Sequence, residues 1–361
     1  METNDKELQP KKRWKKVVLI IICIILLLLL LIGTVGALFI NGLLNRINKT
    51  DGTMSTMSSS EMDAFLQDNT DPSDPDFTGE VLDPTDVTWE DTPQIEAGPN
   101  MINILLIGSD TRTPGIRARS DTMILCTLNK SAKTLTMTSF MRDMYVQIPG
   151  HAANRLNVAY AFGGMSLLNQ AMEQNFGVTV DGNFAVEFNG FKDVIDAIGG
   201  VTINLSKTEA NYMSRPGLWS SEDRKHTDMQ FQEGPNHFNG TEALTYSRIR
   251  SIGPADFGRT LRQRNVMTAA FNKCKNLSVS EIYSLLDTIL PMMTTNLSNS
   301  EILSYAAQTI PLLSDLTIVT ERIPADKAYK NAWVSGMAVL IPDLDANREL
   351  LSKILTDEIA P

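Results

Sequence analysis

The chain has 361 residues and a formal net charge of −10. That is enough for one large domain or two ordinary ones, and the acidic balance argues against a general nucleic-acid binder, which would be basic. Its three cysteines cannot form a disulfide framework; Cys126 and Cys274 read as buried free thiols rather than a pair.

Residues 1–16 carry Lys11, Lys12, Arg13, Lys15 and Lys16 and read as a short cytoplasmic tail. Val17–Ile40 is 24 residues without a charge, long enough as a helix of about 36 Å to cross a hydrocarbon core of about 30 Å. It exceeds a signal-peptide h-region and has no A-x-A site after it, so it reads as a retained anchor. The basic residues before it keep the N-terminus in the cytoplasm, and everything after residue 40 lies outside the cell. Residues 41–99 are polar and acidic, with Pro72, Pro75, Pro84, Pro93 and Pro99. They bury too little apolar area to fold alone and read as a flexible or extended stalk.

The globular domain is assigned to residues 100–361. Met101–Gly108 is an apolar strand, and Asp121–Asn129 with Thr134–Phe140 form a hairpin. Apolar residues at helical spacing run over Leu167–Phe176 and over Phe188–Ile198, the latter stopped by Gly199-Gly200. Val201–Leu205 is a strand, and residues 206–232 read as an irregular surface loop. Helices follow at Gly240–Tyr246, Arg259–Lys275, Ser280–Leu290 and Ser300–Ile310, then strands at Leu316–Ile323 and Met337–Ile341 and a last helix over Asp343–Glu358. Strands interleaved with helices indicate an α/β domain, layered α-β-α.

There is no GxxxxGK[ST] loop, GxGxxG or HExxH, so nucleotide-binding and zinc-protease chemistries lose weight. Instead, Arg is concentrated: 12 of the 16 Arg, with only 5 Lys, lie between Arg112 and Arg264. Guanidinium forks match phosphate and carboxylate oxygens, which points to a localised anion site. Asp110 and Arg112 follow the first strand; Arg119 and Asp121 precede the second. Two carboxylates meeting at one sheet edge without His or Cys suit a hard cation such as Mg²⁺, although turn-capping aspartates paired with Arg112 and Arg119 fit the same spacing. Arg142-Asp143 follows the third strand, as an internal ion pair or as part of the site. Arg248 and Arg250 point the same way only on extended backbone or at a helix end. Asp256 precedes Arg259, Arg262 and Gln263, which share one helix face near its positive N-terminal end. Arg clamps with a divalent metal are the equipment of phosphoryl transfer.

In this order GSDTR (108–112), RSDT (119–122), FMRD (140–143), RLNVAYAFGG (155–164), FNGFKDVIDAIGGV (188–201), GTEALTYSRIR (240–250) and DFGRTLRQR (256–264) resemble the LytR-CpsA-Psr family. The short basic tail, single anchor and polar stalk match the family's layout. The resemblance implies an α-β-α domain with a central mixed sheet and an apolar tunnel for a polyprenyl chain, walled by Leu167–Phe176 and Phe188–Ile198. It implies transfer of a phosphorylated glycopolymer, such as teichoic acid or capsule, from polyprenyl pyrophosphate to peptidoglycan. By the same resemblance Asp110 and Asp121 hold Mg²⁺ or Mn²⁺. Arg112, Arg119, Arg142, Arg248, Arg250, Arg259, Arg262 and Gln263 bind pyrophosphate, and Arg142, Asp143 and Asp256 are the catalytic candidates. Asp110, Asp121 and Asp143 all stand open as the general base. Met141, where the family often has proline, and Arg155, where it often has lysine, are departures that keep the charge. A lipid pyrophosphate hydrolase and a non-catalytic polyprenyl-lipid binder are the alternative readings.

Overall fold

The computed structural model describes residues 40–53, 79–89, 92–109, 119–275, 277 and 279–356. Contacts divide the chain into residues 1–46 and a main body from Ile47 onward. Among the described residues no helix is long and apolar enough to cross a membrane; the run expected to do so, residues 17–40, lies outside them apart from Ile40.

The main body is built on a seven-stranded mixed sheet. Its strands are β1 (Asn48–Lys49), β3 (Met101–Ser109), β4 (Ser120–Asn129), β5 (Thr134–Phe140), β6 (Gly182–Glu187), β9 (Met293–Thr295) and β10 (Thr317–Ile323). They run in the order β1-β9-β6-β3-β4-β5-β10. β2 (Glu80–Leu82) joins β11 (Tyr329–Val334) and β12 (Met337–Pro342) in a second sheet, and β7 (Val201–Leu205) pairs with β8 (Gly234–Phe238). β3, β4 and β5 are antiparallel neighbours, whereas β6 lies parallel to β3 and β10 parallel to β5. All seven residues of β5 are buried, as expected for a strand covered on both faces.

Each face has its own apolar layer. Leu105, Ile107, Met123 and Leu125 pack on α1 (Leu156–Phe176) and α7 (Leu344–Leu355). Ile102, Ile124, Leu128 and Met137 face the other way, toward Met267 and Phe271 of α5 (Ala255–Cys274). The expectation of an α-β-α layered domain with a central mixed sheet holds. Beside α5 stand α2 (Phe188–Ala197), α4 (Gly240–Arg248) and α6 (Val279–Ile289). Gly199 and Gly200, with φ of 73° and 74°, stop α2 in the left-handed region where glycine is favoured.

Gly240 lets α4 lie against α2. A Cβ there would stand 2.1 Å from the Lys192 carbonyl oxygen, and the Gly240 amide donates to Asp196 Oδ1 at 2.7 Å. α4 is further fixed by a reciprocal cap between Asn239 and Glu242.

Two expectations are corrected. Residues 41–99 were read as a stalk, yet β1 extends the main sheet beside β9 and β2 pairs with Ala332–Val334. Ile95 and Gly98 donate to the carbonyls of Gly177 and Leu355. Backbone N–H and C=O groups complete a sheet edge whatever the side chains, so a polar composition did not keep the described pieces around β1, β2 and Ile95–Gly98 off the fold. Residues 206–232 were read as irregular, but α3 (Lys207–Met213) begins there under a Ser206–Glu209 capping box. Trp219 is buried and stacks on Phe231 at 6.0 Å. Cys126 and Cys274 are both free.

Candidate active site

A cavity of about 450 Å³ opens between the sheet and the helices α2, α4, α5 and α6. Its depth is apolar: Leu106, Ile124, Phe184, Phe191, Met267 and Ile289. Its mouth is charged: Asp121, Glu187, Arg248, Arg250, Arg259 and Gln263. An apolar slot ending in a few convergent polar groups is the usual form of a ligand site.

The mouth sits where the sheet's strands end. Ser109 closes β3 and pairs with Ser120 of β4 on one side and Glu187 of β6 on the other. Asp121 therefore enters from β4 and Glu187 from β6. Arg142 and Asp143 arrive just past the end of β5, held by the Met141 amide donating to the Ile323 carbonyl at 2.8 Å. α4 ends at Arg248, and Ile249 is extended (φ −61°, ψ 129°), so Arg248 and Arg250 both reach the cavity, as their spacing required.

The charges form a ladder. Arg142 Nη1 donates to Asp121 Oδ1 at 2.7 Å and its Nε donates to Asp143 Oδ2 at 3.2 Å. Arg155 Nε lies 3.7 Å from Asp143 Oδ1, while Arg155 is itself fastened to the Ala338 carbonyl by Nε at 3.2 Å and Nη2 at 2.8 Å. Burial works against every charge here, but the neighbours outweigh it. Arg142, then Arg259, hold the Asp121 carboxyl below its ordinary range; Arg142 and Arg155 do the same for Asp143. Asp143 and Asp121 in turn push Arg142 up. These groups are ionised at neutral pH.

Behind Arg250 and Arg259, which line the cavity, Asp256 Oδ1 lies 2.8 Å from Arg259 Nη2 and 3.2 Å from Arg250 Nε, ion-paired but without hydrogen-bond alignment. Arg259 is 6% exposed, and burial together with Arg142 lowers it to about 10. Its Nε has no hydrogen-bond partner. A buried donor left unsatisfied costs about 1–3 kcal/mol. At the rim of a cavity, an anion that fills the mouth would satisfy it.

Not every expected residue joins this site. Asp110 and Arg112 lie outside the described residues. Arg119, half-buried just before β4, is not part of the cavity wall. Arg262 is turned away: its Nε donates to Glu209 Oε1 at 3.0 Å and its two Nη atoms to the carbonyls of Ile249 and Ile252 at 3.1 and 3.0 Å. The cavity's edge falls between Gln263, which lines it, and Arg262, on the neighbouring stripe of the same helix. The segment Leu167–Phe176, expected as tunnel wall, lies in the core on the sheet's opposite face; Phe191, Val194 and Ile195 of α2 do line the cavity. The sequence reading missed Glu187, and it missed α6 as a wall. The apolar spacing of α6 was legible, but the face it covers was not.

Among the described residues no His or Cys lines the cavity, and no group of three His, Cys, Asp or Glu is placed to hold a metal. Asp121 spends one of its two carboxylate oxygens on Arg142. It remains a hard oxygen donor of the kind Mg²⁺ prefers, with substrate phosphate and water completing the shell.

The chain is similar to several known proteins in sequence and in fold. The polyisoprenyl-teichoic acid–peptidoglycan teichoic acid transferase TagU of Bacillus anthracis is 30% identical over 260 residues, 71% of this chain and 78% of that one. TagU of Bacillus cereus is 35% identical over 203 residues, 55% of this chain; the chain spans 62% of that relative's length. A structure described as TagT bound to LI-WTA superposes with a TM-score of 0.57 at 26% identity, covering 73% of this chain and 93% of that one. Bacillus subtilis TagV gives 0.55 at 27%, covering 72% and 98%. The LytR_cpsA_psr family profile matches residues 68–354, and with that span the chain belongs to the LytR_cpsA_psr family.

Proposed function

We propose that this protein transfers a phosphorylated glycopolymer of the teichoic acid type from a polyprenyl pyrophosphate carrier to peptidoglycan, leaving a phosphodiester link. The supporting observation is the junction of one apolar cavity with one charged mouth: the slot takes the polyprenyl chain, and Arg248, Arg250 and Arg259 take the pyrophosphate. Relatives in sequence are named polyisoprenyl-teichoic acid–peptidoglycan teichoic acid transferases, which supports this reading.

The chemistry follows from the charge arrangement. Phosphoryl transfer needs the pyrophosphate held in line with the acceptor and its developing charge neutralised. The buried Nε of Arg259 gains its partner when the pyrophosphate arrives. Arg142, tied on both sides to carboxylates, presents a fixed positive group beside it. An acceptor sugar hydroxyl, on N-acetylmuramic acid, attacks the phosphorus nearest the polymer, and polyprenyl phosphate leaves. Asp121, with Asp110, would hold a divalent cation, Mg²⁺ or Mn²⁺, which when bound supplies charge neutralisation on the phosphate oxygens.

We place the protein in the cell membrane as a single-pass enzyme. Residues 17–40 form the anchor, residues 1–16 lie in the cytoplasm, and the domain that carries the cavity is extracellular. The basic residues on one side of an uncharged 24-residue run support this topology.

The test is to incubate the full chain in detergent micelles with a polyprenyl pyrophosphate-linked oligosaccharide, peptidoglycan oligomers and Mg²⁺, and to follow products by mass spectrometry. A phosphodiester-linked adduct that disappears in Arg142→Ala is the expected result. Free phospho-oligosaccharide without adduct would mean hydrolysis instead, and unchanged bound lipid would mean a carrier.

A further inference from the structure

Around the cavity mouth the three described aspartates are already committed to arginine. Asp121 is on Arg142, Asp143 lies between Arg142 and Arg155, and Asp256 lies between Arg250 and Arg259. A carboxylate held ionised by guanidinium groups is a weak base, because taking a proton would forfeit those pairs. Glu187 differs. It ends β6, in register with Ser109 of β3, so it stands on the same sheet edge as Asp121 and lines the same cavity. It is exposed and occupies the N-cap position of α2 without making a side-chain cap. Among the described residues its side chain has no hydrogen bond or ion pair. Its charge adds to burial in pushing the Tyr160 phenol of α1 up.

From this placement we propose that Glu187 is the general base that takes the proton from the acceptor hydroxyl, a role that rests on the transferase reading above. In the step, the acceptor O–H bond breaks and its proton goes to a Glu187 carboxylate oxygen. The freed oxygen pair forms the new O–P bond at the phosphorus nearest the polymer. The bond from that phosphorus to the bridging oxygen breaks, and polyprenyl phosphate leaves with the electron pair. Proton, bonds and charge balance without a further reactant. The geometry separates two duties: the arginine-bound aspartates keep the anion-binding mouth in shape, and the carboxylate without an arginine partner takes the acceptor's proton.

The experiment uses the full chain in micelles with a polyprenyl pyrophosphate disaccharide and peptidoglycan oligomers, comparing wild type with Glu187→Gln and Glu187→Asp. Glu187→Gln keeps size and hydrogen bonding but cannot accept a proton. Its kcat is expected to fall about 100-fold or more, with KM for donor and acceptor unchanged within about twofold and the same Mg²⁺ dependence. Glu187→Asp is expected to recover a substantial part of that loss. A Glu187→Gln kcat within about threefold of wild type would overturn the proposal. So would a defect confined to donor KM, one cured by excess Mg²⁺, or a Glu187→Asp variant no better than Glu187→Gln. If wild type yields only free phospho-disaccharide, the transferase reading fails on its own. The proton then comes from water, and the same kcat comparison still decides the role of Glu187.

Discussion

Arg142 Nη1 and Asp121 Oδ1 lie 2.7 Å apart at the mouth of the cavity, with both side chains at least four-fifths buried. The pair joins two strand ends, β4 and the exit of β5, and through Nε it also holds Asp143. Removing one partner of such a pair leaves an uncompensated buried charge, which costs about 3–5 kcal/mol. Arg142→Ala is therefore expected to lower thermal stability by several degrees as well as abolish transfer. Arg142→Lys, with one point charge where a fork served two carboxylates, should recover stability in part and transfer little. Calorimetry alongside the adduct assay separates the two effects.

The same ladder sets the acid limit of the fold. Arg142 and Arg155 hold Asp143 below the ordinary carboxylate value, so its folded value lies under its unfolded one. Its contribution is complete above the unfolded value of about 4 and is lost as pH falls through the folded value. Denaturant midpoints should therefore hold steady from neutrality down to about pH 4–5 and fall below that. In Arg155→Gln, one of the two cations is gone, the folded value of Asp143 moves closer to the unfolded one, and the decline is expected to be shallower. An unchanged acid limb would show that Arg155 does not hold Asp143.

A pyrophosphate mimic should stabilise the protein through Arg259. Its Nε lacks a partner and its charge is disfavoured by burial and by Arg142; an anion relieves both. Methylene diphosphonate at 100 times its Kd would add about 2.7 kcal/mol, visible as a rise in Tm. Arg259→Gln should lose most of that ligand-induced rise, while its unliganded Tm stays close to wild type. A full rise in the variant would place the phosphates elsewhere.

The strands and helices that can be read from the chain are those with an uninterrupted period: β3, β4, β5, α2 and α5 lie within a few residues of where the apolar pattern puts them. β6 was not legible, because Asn183 interrupts a short strand whose neighbours are supplied by β3 and β9. β1 and β2 were hidden in a polar, proline-containing stretch, since edge pairing needs backbone rather than apolar side chains. The arginine-rich mouth was legible residue by residue, yet its geometry was not. Periodicity says that a helix has an apolar face, but not which face of the sheet it covers. That is why α1 was taken for the tunnel wall that α5 and α6 provide. Glu187 carried no signal at all, being one acidic residue between a short strand and a helix.

Gly240 tests how firmly α4 must sit. With the Lys192 carbonyl 2.1 Å from an added Cβ, Gly240→Ala has to push α4 away from α2, at a cost of about 1–3 kcal/mol. Arg248 and Arg250 ride on the far end of α4, so the displacement reaches the mouth. The expected outcome is a lower Tm together with a higher KM for the lipid donor. A Tm loss with unchanged KM would mean that the end of α4 is held by the α5 contacts alone.

Arg262 and Arg259 lie three residues apart on α5, and the structure gives them opposite duties. Arg262 is 5% exposed. It binds Glu209 and two backbone carbonyls and lies over the Tyr246 ring at 5.9 Å. It therefore ties α5 to α3 and to the loop after α4. Arg262→Gln should leave two carbonyls and a half-buried carboxylate short of donors, costing roughly 2–3 kcal/mol, while the protein that remains folded binds lipid pyrophosphate with near wild-type affinity. Arg259→Gln should do the reverse, weakening lipid binding about tenfold or more with little loss of stability. Measuring Tm and donor affinity on both variants decides the matter. If Arg262→Gln loses affinity at unchanged Tm, its guanidinium reaches the pyrophosphate after all, as its place in the DFGRTLRQR motif suggested.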